Sequence, residues 1–347
     1  MRTAVTDRNG VYSLRALGAG TYAVAFGAPA FQPSTRTGVT ATTGVVTHVD
    51  AIMSPANVTE TVTVTAEAPP SVTATTTSQT YEKREVDALP VGRRLVDIAE
   101  LAPGLTNNTF AAGQLIIGGA FGFDNLFMVD GVDVNENIFG SANDLFIEDA
   151  IQETTVQVHG ISAAYGRFSG GAVNVVTRSG GNTFGGSFRQ NLSNPAWIAE
   201  TPRQELNGLA NPSRLGRISE GTFGGPLLQD RLWFFTAARH KNTAAQNTFA
   251  QTGGAYTRTV TNRRGELKLT ATPVIGHSVQ TTYINNSTEQ ENTSGLPLAL
   301  LVDPSTLYTR QLPNQLFAAR YNGLLFESML ATLQYSHKKD GRRNNGG

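Results

Sequence analysis

The sequence predicts a mainly β chain: a short sandwich-like segment, a small mixed α/β domain, and the first strands of an antiparallel transmembrane β-barrel. Three observations carry this. Thr, Val, Ala and Gly dominate many segments, which favours strands over helices. From Gly181 onward, long segments alternate apolar and polar residues, and short turns alternate with long polar loops, the pattern of bacterial outer-membrane barrels, although alternation alone also fits a soluble up-and-down barrel or sandwich. The chain has 347 residues, 39% of them hydrophobic, yet no stretch approaches the ~18 to 20 consecutive apolar residues of a membrane helix. A barrel leaves no such trace, because its strands alternate lipid-facing and lumen-facing residues over only ~10 residues each.

The elements follow in order. Gly10–Leu14, Gly20–Phe26 and Val45–Ile52 alternate apolar and polar residues between Gly and Pro punctuation and predict short strands. Pro55 to Thr80 is a linker rich in Thr, Val, Ala and Pro. Glu82–Leu89 and Arg93–Leu101 have helical periodicity, the second placing Leu95, Ile98 and Leu101 on one face before Pro103-Gly104 ends it. Gln114–Ile117 and Asn125–Val129 predict buried strands, the latter turning at Asp130-Gly131. Asp144–Gln152 predicts a helix, and Thr154–Val158 and Ala172–Thr177 predict strands, with Phe127, Val129, Val156, Val173 and Val175 in the core. Beyond Gly181, strands are predicted near 184–192, 216–225, 231–240, 263–272, 277–286, 315–325 and 329–338. Turns fall at 227–230, 273–276 and 326–328, and polar loops at 193–215, 241–262 and 287–314. Leu267, Leu269, Phe317, Tyr321 and Tyr335 are candidates for an outward face.

Charge is unevenly placed. The net charge is zero, yet Leu95–Gly166 holds no Lys or Arg and ten acids: Asp97, Glu100, Asp124, Asp130, Asp133, Glu136, Asp144, Glu148, Asp149 and Glu153. Arg167–Gly347 holds 19 basic and 10 acidic residues, a net of +9. Either an acidic soluble domain sits beside a neutralising neighbour, or an acidic domain sits in a basic lumen, where opposite fields fix orientation.

No catalytic constellation emerges. Cysteine is absent, which excludes disulfides and thiolate chemistry. The five histidines lie far apart, and no Gly-x-Ser-x-Gly elbow or phosphate-binding loop occurs. Asp130-Gly-Val-Asp-Val-Asn-Glu-Asn137 offers oxygen ligands for calcium, but its glycine is misplaced for an EF-hand, and a turn is the better reading. No enzyme activity, metal or cofactor is predicted.

Three runs carry a family resemblance: Phe123-Asp-Asn-Leu-Phe-Met-Val-Asp-Gly-Val-Asp133, Ile147-Glu-Asp-Ala-Ile-Gln-Glu-Thr-Thr-Val-Gln-Val158, and Ser162-Ala-Ala-Tyr-Gly-Arg-Phe-Ser-Gly-Gly-Ala-Val-Asn-Val-Val-Thr-Arg178. In order and spacing they resemble the plug domain of TonB-dependent outer-membrane receptors. Gly224-Gly-Pro-Leu-Leu-Gln-Asp-Arg-Leu-Trp-Phe-Phe235 resembles the first periplasmic turn of the Oar-like branch, and Trp233, Phe234 and Phe235 suit an interfacial aromatic belt. Thr6–Leu14 with Leu17–Val24 looks like a carboxypeptidase-regulatory-like β-sandwich, a module that often precedes the plug in this family.

The resemblance implies a partial regulatory-like sandwich over 1–55, a linker over 56–80, a plug over 81–180, and the N-terminal part of a barrel over 181–347. It implies a structural plug motif of Asp130, Gly131, Val132, Tyr165, Gly166, Gly170, Gly171 and Asn174, with the glycines permitting turns at positive φ. Within the linker, Glu60, Thr61, Val62, Thr63, Val64, Thr65 and Ala66 resemble the TonB box; its alternating β-branched residues suit strand addition to a partner's sheet edge. The implied partners are TonB with its inner-membrane energising complex, outer-membrane lipid, and a small-molecule, glycan or peptide ligand that the sequence does not select; no nucleic acid is implied. The implied location is the outer membrane of a Gram-negative type cell, and the implied function is TonB-energised uptake of a substrate too large or scarce for porins.

Without a charged-then-apolar leader before Asp7, with the sandwich entered midway, and with seven strands of a ~22-strand family barrel, the chain is expected to be truncated at both ends and to lack its signal peptide. A secreted or surface-attached β-rich binding or adhesion protein is the rival reading. It explains the first 70 residues equally well and gives no reason for the three runs.

Overall fold

The computed structural model describes residues 3–7, 10–14, 20–41, 47–53, 77–89, 95–107, 115–136, 147–161, 165–206, 211, 213–249, 252–274, 276–294, 304–325 and 329–345. The N-terminal part is a hairpin of β1 (Gly20–Phe26) and β2 (Ser34–Ala41), whose connection passes through Ala30 at φ 66°. The second strand was not predicted, and neither 10–14 nor the described part of 45–52 is a strand. Those segments instead pack as coil: the Tyr12 hydroxyl donates to the Val49 carbonyl at 2.6 Å, and its ring meets Phe26 edge-on at 5.5 Å.

Next comes a small α/β unit. Its elements are β3 (Thr77–Glu82), α1 (Lys83–Ala88), α2 (Leu95–Ala99), β4 (Leu105–Asn107), β5 (Leu115–Ile117), β6 (Leu126–Val129), β7 (Val132–Asp133), β8 (Ile151–His159) and β9 (Ala172–Thr177). The main sheet has the order β3-β8-β9-β6-β7, with only β6 and β9 parallel, and β4 and β5 form a separate pair. A reciprocal cap starts α1, where the Glu85 side chain accepts from the Glu82 backbone at 3.0 Å. The helix expected over 144–152 is not formed in its described part: Glu148–Ala150 makes a single 3₁₀ turn and β8 begins at Ile151. Ile151, Thr154, Thr155, Val156 and Val158 are β-branched and fit a pleated surface better than a helix. Phe127, Val129, Val156, Val173 and Val175 are all buried in one cluster with Leu115 and Ile117.

From residue 185 the chain folds into an antiparallel meander. It comprises β10 (Gly185–Ser193), β11 (Gly216–Leu228), β12 (Leu232–Thr248), β13 (Ala255–Ala271), β14 (His277–Thr293), β15 (Tyr308–Leu325) and β16 (Met329–Asp340). A short β17 (Arg343–Asn345) pairs back on β15, and a short helix α3 (Pro202–Leu206) sits in the β10–β11 connection. All seven strand positions were legible, but the loops were overestimated. β12 and β13 are 17 residues each and close around 249–254, inside the segment read as a loop over 241–262. A bilayer needs only ~9–11 residues per strand. The extra Thr- and Asn-rich length continues the hydrogen-bonded ladder without apolar alternation, and so reads as loop in sequence.

The two faces of this wall differ. Phe188, Phe223, Leu267, Tyr283, Phe317, Leu333 and Tyr335 are exposed on one side, with Leu269 and Tyr321 half-buried on the same side. On the other side Glu220, Phe235, Glu266, Lys268, Ile284 and Leu316 are buried. The outer face is therefore apolar and the inner face mixed, the inverse of a water-soluble sheet. Near the short turn at Asp230, Phe223 lies 5.9 Å from Phe184 and 5.6 Å from Phe234, forming an outward aromatic cluster. Of the three aromatics expected in that belt only Phe234 belongs to it. Strand residues alternate sides: Phe235 is buried inward, and Trp233 donates its indole N–H to Asn182 Oδ1 at 2.7 Å.

Candidate functional site: where the α/β unit meets the wall

The β6–β7 hairpin turns on Asp130 (φ 50°) and Gly131 (φ 77°), a two-residue turn that needs positive φ at both positions. The Asp130 carboxylate is held in place from within the unit, accepting from Thr177 N at 3.0 Å and Thr177 Oγ1 at 2.8 Å. Asn174 Oδ1 accepts from Gly131 N at 3.0 Å. The wall then grips the turn. Lys268 of β13, 1% exposed, donates to Asp130 Oδ1 at 3.1 Å, Thr177 O at 2.8 Å and Thr177 Oγ1 at 3.0 Å. Arg320 of β15 donates to the Asp130 carbonyl at 2.8 Å, and a Cβ at Gly131 would meet its guanidinium. Gly131 is thus required by its backbone conformation, and a side chain there would also have to push the flexible Arg320 tip aside. A buried ammonium with three acceptors is stable only while they stay.

A second charged cluster lies at the start of β8. Arg239 of β12 donates to both Glu148 oxygens, to Oε1 at 2.7 Å, and lies 3.1 Å from Glu220 of β11 through its Nε. Arg189 of β10 pairs with Glu220 and lies 3.3 Å from Asp149. Burial pushes the Glu148 carboxyl up, but the Arg239 guanidinium, with its own backbone amide, the Glu220 carboxyl and Arg264, outweighs that and holds its pKa below the ordinary value. Apolar contact accompanies the charges. Ile147 and Ala150 pack with Phe235 and Ala237 of β12, while Ile284, Leu316 and Ala318 of the wall belong to the unit's own core. Further along, Lys338 donates to the Asn135 carbonyl and Arg342 lies 3.7 Å from Glu136. Among the described residues, each ion pair that crosses between the two parts has its acid on the α/β unit and its base on the wall. The lopsided charge of the sequence is this interface.

The expected motif residues divide. Asp130, Gly131, Val132 and Asn174 come together at the gripped turn. Gly170 and Gly171 sit at the far end of β9, and their role differs from the one expected. Positive φ falls on Arg167, not on Gly166, Gly170 or Gly171. A Cβ at Gly171 would run into Ile117 and the Gln157 carbonyl, and one at Gly170 into Asn125, so close packing rather than turning requires these two glycines. Gly166 has open space, and Tyr165 is exposed. Asn125, buried and absent from the expected motif, joins three segments: it donates to the Leu115 carbonyl at 2.7 Å, accepts from Gly171 N at 3.0 Å, and its carbonyl accepts from Asn135 Nδ2 at 2.6 Å. Arg178 lies over the Phe235 ring at 5.5 Å and so meets the wall. Glu60–Ala66 lie outside the described residues. Sequence reasoning missed Lys268, Glu220, Arg239 and Arg189; the signal available for Lys268 was its alternation with Leu267 and Leu269, which marked it as inward.

An acidic α/β unit pressed by buried ion pairs against the inner face of an apolar-backed strand wall defines the plug-and-barrel class of outer-membrane receptors. The chain is 31% identical over 264 residues to the TonB-dependent transporter Oar of Myxococcus xanthus, a match spanning 71% of this chain and 24% of that protein. Its fold matches the siderophore receptor PirA of Acinetobacter baumannii with a TM-score of 0.59 and 19% identity, over 76% of this chain and 40% of that one. The outer membrane transporter YddB of Escherichia coli matches with a TM-score of 0.56 and 14% identity, over 77% and 39%. Residues 1–54 match the family model of the carboxypeptidase regulatory-like domain. The chain belongs to the TonB-dependent outer-membrane receptor family, with Oar as an example of its branch. It spans about a quarter of the length of that curated relative.

Proposed function

We propose that the receptor of which this chain forms part takes up a ligand across the outer membrane by displacing its plug, driven through TonB. The supporting observation is the seated plug: the α/β unit lies on the wall's inner face through charge pairs and a shared apolar cluster. Such an arrangement blocks a lumen and can be reversed without breaking a covalent bond. In this reading residues 81–180 are the plug, 181–347 contribute barrel strands, and Glu60–Ala66 is the segment that pairs with TonB. The ligand is a small molecule, glycan or peptide recognised at the outer face.

The test is a full-length receptor carrying Val64→Pro. Proline removes a main-chain donor and disrupts an added strand, so energised uptake is lost while ligand binding at the cell surface is retained. Equal uptake by variant and parent removes Glu60–Ala66 as the contact. Loss of surface binding in the variant would show damage to the receptor itself.

A further inference from the structure

Each cation that buries itself against the plug's carboxylates at the two clusters has a carboxylate of its own on the wall. Arg189 and Arg239 both reach Glu220 of β11 as well as the plug's Asp149 and Glu148. Lys268 shares β13 with Glu266, two residues away and therefore on the same inward face. Glu266 is 3% exposed, and its charge acts on both Lys268 and Asp130. Neither Glu266 oxygen makes a hydrogen bond of good geometry, because the neighbouring Thr177 hydroxyl donates to Asp130 instead. A buried carboxylate without a donor, facing another carboxylate, disfavours the docked state. The docked arrangement thus gives Glu266 only a share of the Lys268 charge and does not use it as that cation's main partner.

The undocked arrangement does. When the plug's hairpin leaves, Lys268 loses Asp130 and both Thr177 acceptors together, and Arg239 loses Glu148. Arg239 keeps Glu220, but Lys268 stranded in this way without another partner would be strongly unfavourable. We propose that Glu266 is a standby counter-ion, which takes over Lys268 as the plug withdraws, while Glu220, already paired with Arg189 and Arg239, keeps both arginines neutralised. Plug release then exchanges one counter-ion for another at Lys268 and leaves Arg189 and Arg239 with the wall partner they already have, so the wall stays charge-balanced throughout. The plug's acids are shared partners of the wall, not its sole ones. This mechanism requires only that the plug leaves, whatever pulls it, and so it stands apart from the ligand and from the TonB contact.

The experiment uses the complete receptor in planar lipid bilayers, with plug displacement read as channel opening in graded urea. Glu266→Gln and Glu220→Gln each make the plug the main counter-ion, so at a given urea concentration both open roughly tenfold less often than the parent. Asp130→Asn, which removes the plug's partner and leaves Glu266, opens more often than the parent. Heat-modifiable migration in detergent gels confirms that each barrel is assembled, and Glu220→Gln carries the test if Glu266→Gln does not assemble. An assembled glutamine variant that opens as often as the parent, or more often, overturns the proposal.

Discussion

Replacing Lys268 with Met isolates the charge at the centre of the interface. Met approximates the volume, so the cavity cost stays below ~1.5 kcal/mol. Asp130 keeps its bonds from Thr177 N at 3.0 Å and Thr177 Oγ1 at 2.8 Å, but loses its cation, and Glu266 faces it with nothing positive between them. Removing one partner of a buried pair costs ~3–5 kcal/mol. The retained Thr177 bonds place this case at the lower end, about 3 kcal/mol, or roughly 150-fold in the docking equilibrium. Because the ammonium is 1% exposed, solvent screening does not reduce the figure much. Hydrogen exchange of the Val129–Val132 amides, measured in the complete receptor in nanodiscs, should speed up by about two orders of magnitude. Leu267→Met, one residue away on the lipid side, should stay within ~0.5 kcal/mol of the parent. Unchanged exchange in the Lys268 variant, or equal loss in both, would refute the account of this contact.

Gly171→Ala should destabilise the plug by ~1–3 kcal/mol through its clash with Ile117 and Gln157, whereas Gly166→Ala, with open space around it, should be silent; thermal melts of the two variants separate packing from turn formation. The share of plug docking that Glu148 contributes should weaken in acid. The docked Glu148 pKa is depressed by Arg239, so its contribution is complete above the ordinary glutamate value and is lost as pH falls through the lower docked value. Channel opening against pH reads this, and Glu148→Gln should flatten that part of the profile. Leu267→Arg places a charge on the lipid face and should cost ~2–4 kcal/mol if it lies near the bilayer midplane, read as a shift in urea-driven folding into lipid vesicles.

Strand positions were legible because inward and outward residues alternate within each spanning segment, as at Glu266, Leu267 and Lys268. Strand lengths were not, since β12 and β13 run on as Thr- and Asn-rich ladders whose two faces are both polar. The 3₁₀ turn at Glu148–Ala150 was hidden behind helix-compatible acids, and was decided by the β-branched run that follows. At the site, Asp130 and Gly131 were readable from their turn chemistry, while Gly170 and Gly171 were assigned the wrong reason. Close approach of Ile117 to Gly171 is a contact between segments far apart in the chain, and no local pattern encodes it. The wall residues Arg189, Glu220 and Arg239 were invisible individually for the same cause. Only their sum, a basic region facing an acidic one, could be read in advance.

In a bilayer this wall has lipid on one side and the plug on the other. The chain contains no cysteine, so single cysteines at 265 to 270 of β13 can be spin-labelled in the complete receptor, freed of any cysteine elsewhere and embedded in bilayers. Collision with oxygen, which concentrates in lipid, should be high at 265, 267 and 269 and low at 266 and 268. At 266 and 268 collision with a water-soluble nickel chelate should be low as well, because the plug covers them. High chelate access at 265, 267 and 269, or no alternation along the strand, would contradict a lipid-facing wall.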